Sequence, residues 1–165
     1  MVTTYIHKFF WFSGLVLLQV LILNNVHIGG YATPFLYVYF ILKFESGVSR
    51  NELMLWGFLL GFVIDTFSNT PGMNAAAAVL LAFVRPLFLG LFAPRDGLEN
   101  VSPSFKSMGN SSFIKYLIAC VFIHHMALLT IEFFSFTSAS ALLLRMVFST
   151  LLTVTCIMAV EGVKK

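Results

Sequence analysis

Apolar runs alternate with short polar connections along the whole chain, and their spacing predicts six membrane-spanning helices, over 9–23, 31–45, 52–67, 75–92, 113–134 and 139–160. A hydrocarbon core about 30 Å thick needs about twenty residues of helix rising about 1.5 Å each. The first run opens on Phe10, Trp11 and Phe12, an aromatic edge suited to the membrane interface. It ends in Leu23, Asn24, Asn25, Val26 and His27 without a small-x-small cleavage site, so it reads as a retained span and not as a signal peptide. The second run is the shortest. Thr33 and Pro34 are expected to open it as N-cap and first helical residue, yet the helix from there to Phe44 rises only about 16 Å. A re-entrant loop is the competing reading. It would strand Arg95, Lys106 and Lys115 outside the cell, so a true crossing extended to Tyr31 and Glu45 is preferred. The longest connection, 93–112, is rich in Ser, Asn, Gly and Pro and divides the chain into four helices and two.

The basic residues give the pattern an orientation. Lys8 precedes the first run, Lys43 and Arg50 follow the second, Arg95, Lys106 and Lys115 follow the fourth, and Lys164 and Lys165 follow the sixth. Cytoplasmic connections accumulate Lys and Arg because translocating them is unfavourable, so both ends are expected in the cytoplasm. With 59% hydrophobic and 10% charged residues, the chain reads as one all-α integral membrane domain, a polytopic helical bundle whose main partner is the lipid bilayer. The net charge of +3 sits in those connections, facing lipid headgroups, and nucleic-acid binding is not expected. Cys120 and Cys156 have no ligand set around them in the sequence, and a packing role is expected.

Polar residues inside the runs carry the candidate chemistry. Gly57, Gly61 and Asp65 are spaced at four and form one helical stripe on which a neighbouring backbone can close. Arg145 lies about 9 Å inside the sixth span, its stripe continued by Ser149 and Thr153 with Cys156 alongside. A guanidinium at that depth needs a partner, and Arg145 is expected to form a buried charge pairing with Asp65, Glu132 or both. Arg85 precedes Pro86 in the fourth span and is placed to satisfy the carbonyl that proline frees one turn back, or to reach headgroups. His124 and His125 diverge by about 100° on a helix, so they are not expected to share a metal ion; one buried histidine and one lipid-facing or interhelical one is the expectation. There is no P-loop, HExxH or GxSxG motif and no credible carboxylate pair, so neither an enzyme nor a cofactor is expected.

One stretch is more specific. From Gly61 through Asp65, Ser68, Asn69, Pro71, Gly72 and Asn74 to Ala75 and Ala76, a helix leaves through an acidic residue, turns at Pro-Gly and re-enters through Asn and alanines. This resembles the signature of the rod shape-determining MreD family, as do the chain length, the six spans and the Arg-Pro of the fourth helix followed by Phe92-Ala-Pro-Arg95-Asp. The resemblance implies a non-enzymatic scaffold of the bacterial elongation machinery in the inner membrane. Its implied partners are an MreC-like single-pass scaffold, MreB filaments, a RodA-like glycosyltransferase and its transpeptidase, and its implied concern is cell shape and peptidoglycan synthesis. It also implies a fold similar to the substrate-binding subunits of energy-coupling-factor transporters, so a vitamin-binding transporter subunit is the alternative function. Gly61, Asp65, Pro71, Gly72 and Asn74 are the matched residues, and their expected role is architectural: Asp65 caps or braces the outer turn, Pro71 and Gly72 tighten it, and Asn74 caps the fourth helix.

Overall fold

The structure is a computed structural model that describes residues 2–26, 32–93, 101–132 and 139–163. Within these, the regular elements are helices: α1 (Val2–Leu21) with a 3-10 turn at Leu23–Asn25, α2 (Val38–Leu42), α3 (Arg50–Ser68), α4 (Met73–Phe92), α5 (Phe105–Met108), α6 (Asn110–Glu132) and α7 (Ala139–Val163). Four stretches are long and apolar enough to cross a membrane: Tyr5–Asn25, Met73–Phe92, Asn110–Glu132 and Ser140–Val163. Helix α3 matches them in length but is less apolar, because Arg50, Asn51, Glu52 and Asp65 lie within it.

The bundle holds polar side chains within an apolar core and presents apolar side chains outside. Gln19, Asp65, Asn74, Arg85, His124, His125, Thr153 and Glu161 are buried, whereas Leu17, Leu55, Phe58, Phe62, Leu87, Phe122, Leu143 and Leu151 are exposed. A water-soluble protein does not present that much contiguous apolar surface, and a lipid-facing one must. The exposed threonines obey the same rule. Thr66, Thr130 and Thr155 each donate to the carbonyl four residues earlier, on Phe62, Met126 and Leu151, which satisfies these three hydroxyls on the outer surface.

Direction alternates along the chain. Lys8 pairs with Glu52 at 3.5 Å, placing the starts of α1 and α3 side by side, and Asn24 donates to Ser68 at 2.8 Å where both helices finish. Lys43 reaches Glu161 near the finish of α7 at 3.0 Å. The described bases Lys8, Lys43 and Arg50 therefore lie toward one end of the bundle, the basic end.

The helix expected in the second apolar run is shorter and starts later. Thr33 and Pro34 do not start a helix: 33–35 have no regular structure, a turn covers 36–37, and only Val38–Leu42 is helical. Every residue from Leu36 to Leu42 is buried, so the segment threads the interior with protein on all sides. Near the basic end Phe12, Phe40 and Trp56 pack edge to face or tilted around it, with centroids 5.7–6.1 Å apart. Tyr31, counted in the predicted span, lies outside the described residues.

Other boundaries move for local reasons. Helix α1 begins at Val2, ahead of the apolar run, and its Lys8 pairs with Glu52 and sits 4.8 Å from the Phe44 ring centre. The connection 93–112 is not wholly polar linker. In its described part, Ser104 and Ser107 form a reciprocal capping box that starts α5. Met108 is buried, and Phe105 packs on Phe113 at 4.8 Å. Arg95, Lys164 and Lys165 fall outside the described residues.

Candidate functional site

The stretch 61–76 forms the α3–α4 hairpin. Helix α3 ends at Asn69 in the left-handed conformation (φ 53°), and Gly72 (φ 80°) takes the N-cap position of α4. Gly72 has no side chain with which to cap, and Asn74, the expected N-cap, lies inside the helix. The cap comes instead from Asp65, one helix earlier. One carboxylate oxygen accepts from the backbone N–H of Asn74 at 3.0 Å, from the Asn74 side-chain amide at 2.9 Å and from the Thr70 hydroxyl at 2.8 Å. The other accepts from the backbone N–H of Ala75 at 2.9 Å. A carboxylate on the first N–H groups of a helix is also favoured by the helix dipole.

The glycine stripe is consumed by the same hairpin. A Cβ on Gly61 would lie 2.4 Å from the Ala75 Cα, and one on Gly57 would lie 3.0 Å from the Ala78 carbonyl oxygen. The stripe of Gly57, Gly61 and Asp65 therefore packs internally against α4. Pro71 makes the turn between the helices.

From Asn74 the polar contacts pass inward. The Tyr37 hydroxyl donates to Asn74 Oδ1 at 2.9 Å and lies 2.8 Å from His124 Nε2. With its single proton given to Asn74, Tyr37 can only accept from His124, which places that histidine's hydrogen on Nε2. His124 Nδ1 is then a buried lone pair, without a partner among the described residues. His125 has the opposite tautomer: its Nδ1 donates to Val121 O at 2.7 Å, and its Nε2 lies 3.3 Å from Thr153 Oγ1. Both histidines are buried. His124 faces Tyr37 and His125 faces α7, and neither is lipid-facing, because residues 35–37 supply an interior surface wide enough for two adjacent helical positions.

Residues 33–44 explain most of the remaining intramembrane polar groups. The N–H of Thr33 donates to Ser149 Oγ at 3.2 Å and that of Phe35 to Thr153 Oγ1 at 3.0 Å. Gln19 donates to Pro34 O at 3.0 Å and accepts from Tyr37 N–H at 3.4 Å. At the far end of α2, Arg85 donates to Phe44 O, to Leu42 O at 3.4 Å and to the Tyr116 hydroxyl at 2.9 Å. Tyr116 donates in turn to Leu42 O at 3.2 Å. Arg85 is 1% exposed, so it neither snorkels nor serves its own helix; the carbonyls it satisfies belong to the end of α2. Glu161 closes the basic end, accepting from Tyr39 at 2.5 Å and from Lys43 at 3.0 Å, while Lys43 also donates to Pro103 O at 2.8 Å.

Of the two expected partners of Arg145, Glu132 pairs with it and Asp65 does not. Arg145 pairs with Glu132 at 3.6 Å, their side chains 30% and 42% exposed, so the pair is not buried. Asp65 is outside it, because both of its oxygens are spent on the start of α4. Arg145 and Glu132 stand instead at a cavity of about 430 Å³ at the end opposite the basic one, lined also by Asn24, Ser68, Thr70, Asn74, Ser149 and Phe35. Gln19, Tyr37, Tyr39, Tyr116 and Glu161 went unread as members of these networks. Gln19 and Glu161 carried a usable signal as polar residues within apolar runs. The tyrosines carried none.

Comparison with protein-family models, with curated proteins and with solved structures finds no match to this chain.

Proposed function

We propose that this chain is a non-enzymatic scaffold component of the bacterial elongation machinery, a multi-pass protein of the inner membrane that acts through helix–helix contacts on cell shape and peptidoglycan synthesis. The observation that carries the reading is the Asp65 clamp. The stretch that resembles the MreD signature is a hairpin fixed by four hydrogen bonds to one carboxylate and by backbone contact at Gly61, an arrangement suited to architecture and not to turnover. The chain makes six passes with both ends cytoplasmic, and residues 32–44 are the second pass. The alternating directions and the gathering of Lys8, Lys43 and Arg50 at one end support this topology.

The proposed direct partner is an MreC-like single-pass protein, within an assembly that includes MreB filaments, a RodA-like glycosyltransferase and its transpeptidase. Affinity purification of the full chain from its native membrane is expected to recover the single-pass partner, and depletion is expected to round the cells and disperse wall synthesis. A second reading, the substrate-binding subunit of a vitamin transporter, is favoured by the cavity at the Arg145 end. Depletion that leaves cell shape normal and is rescued by excess vitamins would establish that reading and reject the scaffold.

A further inference from the structure

The cavity between the ends of α1, α3, α6 and α7 has the volume of a small-molecule site, about 430 Å³. Its lining divides into three chemistries. Arg145 and Glu132 supply one charge of each sign from different helices, Ser68, Thr70, Asn74 and Ser149 supply neutral hydroxyls and an amide, and residues such as Phe35 and Leu128 supply apolar wall. The neutral groups are held in place by the hairpin and by the 33–37 segment: Asn74 and Thr70 by Asp65, and Ser149 by the Thr33 N–H.

The charged pair is the informative part. At 3.6 Å, with side chains 30% and 42% exposed, its separation is longer than a direct hydrogen bond and it lends the fold little. A ligand that offers an ammonium to Glu132 and an oxyanion to Arg145 makes two charge-assisted hydrogen bonds that the pair itself does not make. A lone anion would meet Glu132 and a lone cation would meet Arg145, so the pair selects a molecule that carries both charges.

We infer that this cavity binds a small zwitterion, a primary ammonium joined to an oxyanion, seated between Glu132 and Arg145. The inference rests on the cavity alone and holds whether the chain is a scaffold or a transporter subunit. Two sources offer this chemistry at the end of a helical bundle: a water-borne amino acid or short peptide, and a phosphatidylethanolamine headgroup.

The test has an arm for each source. In the first, full-length protein in nanodiscs of phosphatidylcholine, whose ammonium has no N–H, is titrated with alanyl-alanine, N-acetyl-alanyl-alanine and alanyl-alaninamide. In the second, native mass spectrometry counts phosphatidylethanolamine retained against phosphatidylcholine. Saturable binding of the zwitterion is expected in one arm, and that arm names the source. Glu132→Gln and Arg145→Gln are each expected to weaken binding about tenfold or more, as is blocking either charge of the peptide. The analogue and lipid comparisons on the unaltered chain decide the matter if a variant fails to fold. Absence of binding in both arms, equal binding of blocked and unblocked peptides, or variants that bind as the parent does would overturn the inference.

Discussion

The α3–α4 hairpin and the 32–44 segment solve one problem in opposite ways. Each must satisfy backbone polar groups in surroundings where an unsatisfied one is costly. The hairpin does it locally: two regular helices satisfy themselves, and the orphan N–H groups at the start of α4 are taken by Asp65, nine and ten residues earlier in the chain. The 32–44 segment abandons regular structure for part of its length and borrows partners from far away, Ser149 and Thr153 lying 116 and 118 residues along the chain. Irregular backbone persists at membrane depth only where protein surrounds it, and this segment is buried throughout its core. One region is built from small residues in close contact, the other from long polar side chains reaching across gaps.

The sharpest way to break the hairpin is Gly61→Leu. With the Ala75 backbone 2.4 Å from the added Cβ, relief requires the helices to part, at a cost of about 3 kcal/mol or more. Loss of folded protein from the membrane fraction is expected. Recovery of normal amounts with weakened partner binding would instead assign the stripe to a partner. Asp65→Ala comes next. It removes the acceptor of four donors, for about 3 kcal/mol measured as thermal stability in detergent, and Asp65→Asn is expected to lie between it and the parent.

In the threaded segment the corresponding change is Arg85→Met, which strips the Leu42 and Phe44 carbonyls of their guanidinium partner and should cost about 2 kcal/mol. Combined with Tyr116→Phe, the loss should fall short of the sum of the single losses, because the hydrogen bond from Arg85 to the Tyr116 hydroxyl is already lost in either single variant. Additive losses would separate the two. The smallest effect belongs to the exposed pair. Glu132→Gln is expected to cost less than about 1 kcal/mol, close to Lys106→Ala, and a loss as large as that of Asp65→Ala would contradict the placing of the pair at the cavity.

The same contrast explains what the sequence discloses. The hairpin is legible because its parts are near neighbours: glycines four apart, an acid four further on, Pro-Gly, then alanines. Gly72 occupies the N-cap position expected for Asn74, and the Asp65 carboxylate reaches across the turn to the first N–H groups of α4. The threaded segment is illegible because its apolar composition suits a lipid-facing helix and a buried core equally well, and its partners are spread over α1, α4, α6 and α7. The stripe of Ser149 and Thr153 is visible as a polar face, but its purpose depends on a strand of backbone that no periodicity predicts. Arg85 is likewise visible as an anomaly, while the carbonyls it serves are fixed only by the tertiary fold.

Residues 37–42 run inside the bundle and have no lipid-facing side. This placement is tested most directly by lipid-phase carbene footprinting of the unaltered protein in nanodiscs, read residue by residue by mass spectrometry. Peptides containing Leu17, Phe58, Phe62, Leu143 and Leu151, all exposed, should be labelled, while Tyr37–Leu42 should stay unlabelled until the protein is unfolded. Labelling of Tyr37–Leu42 at the level of Leu143 and Leu151, recurring every third or fourth residue, would show an ordinary lipid-facing helix and contradict the account.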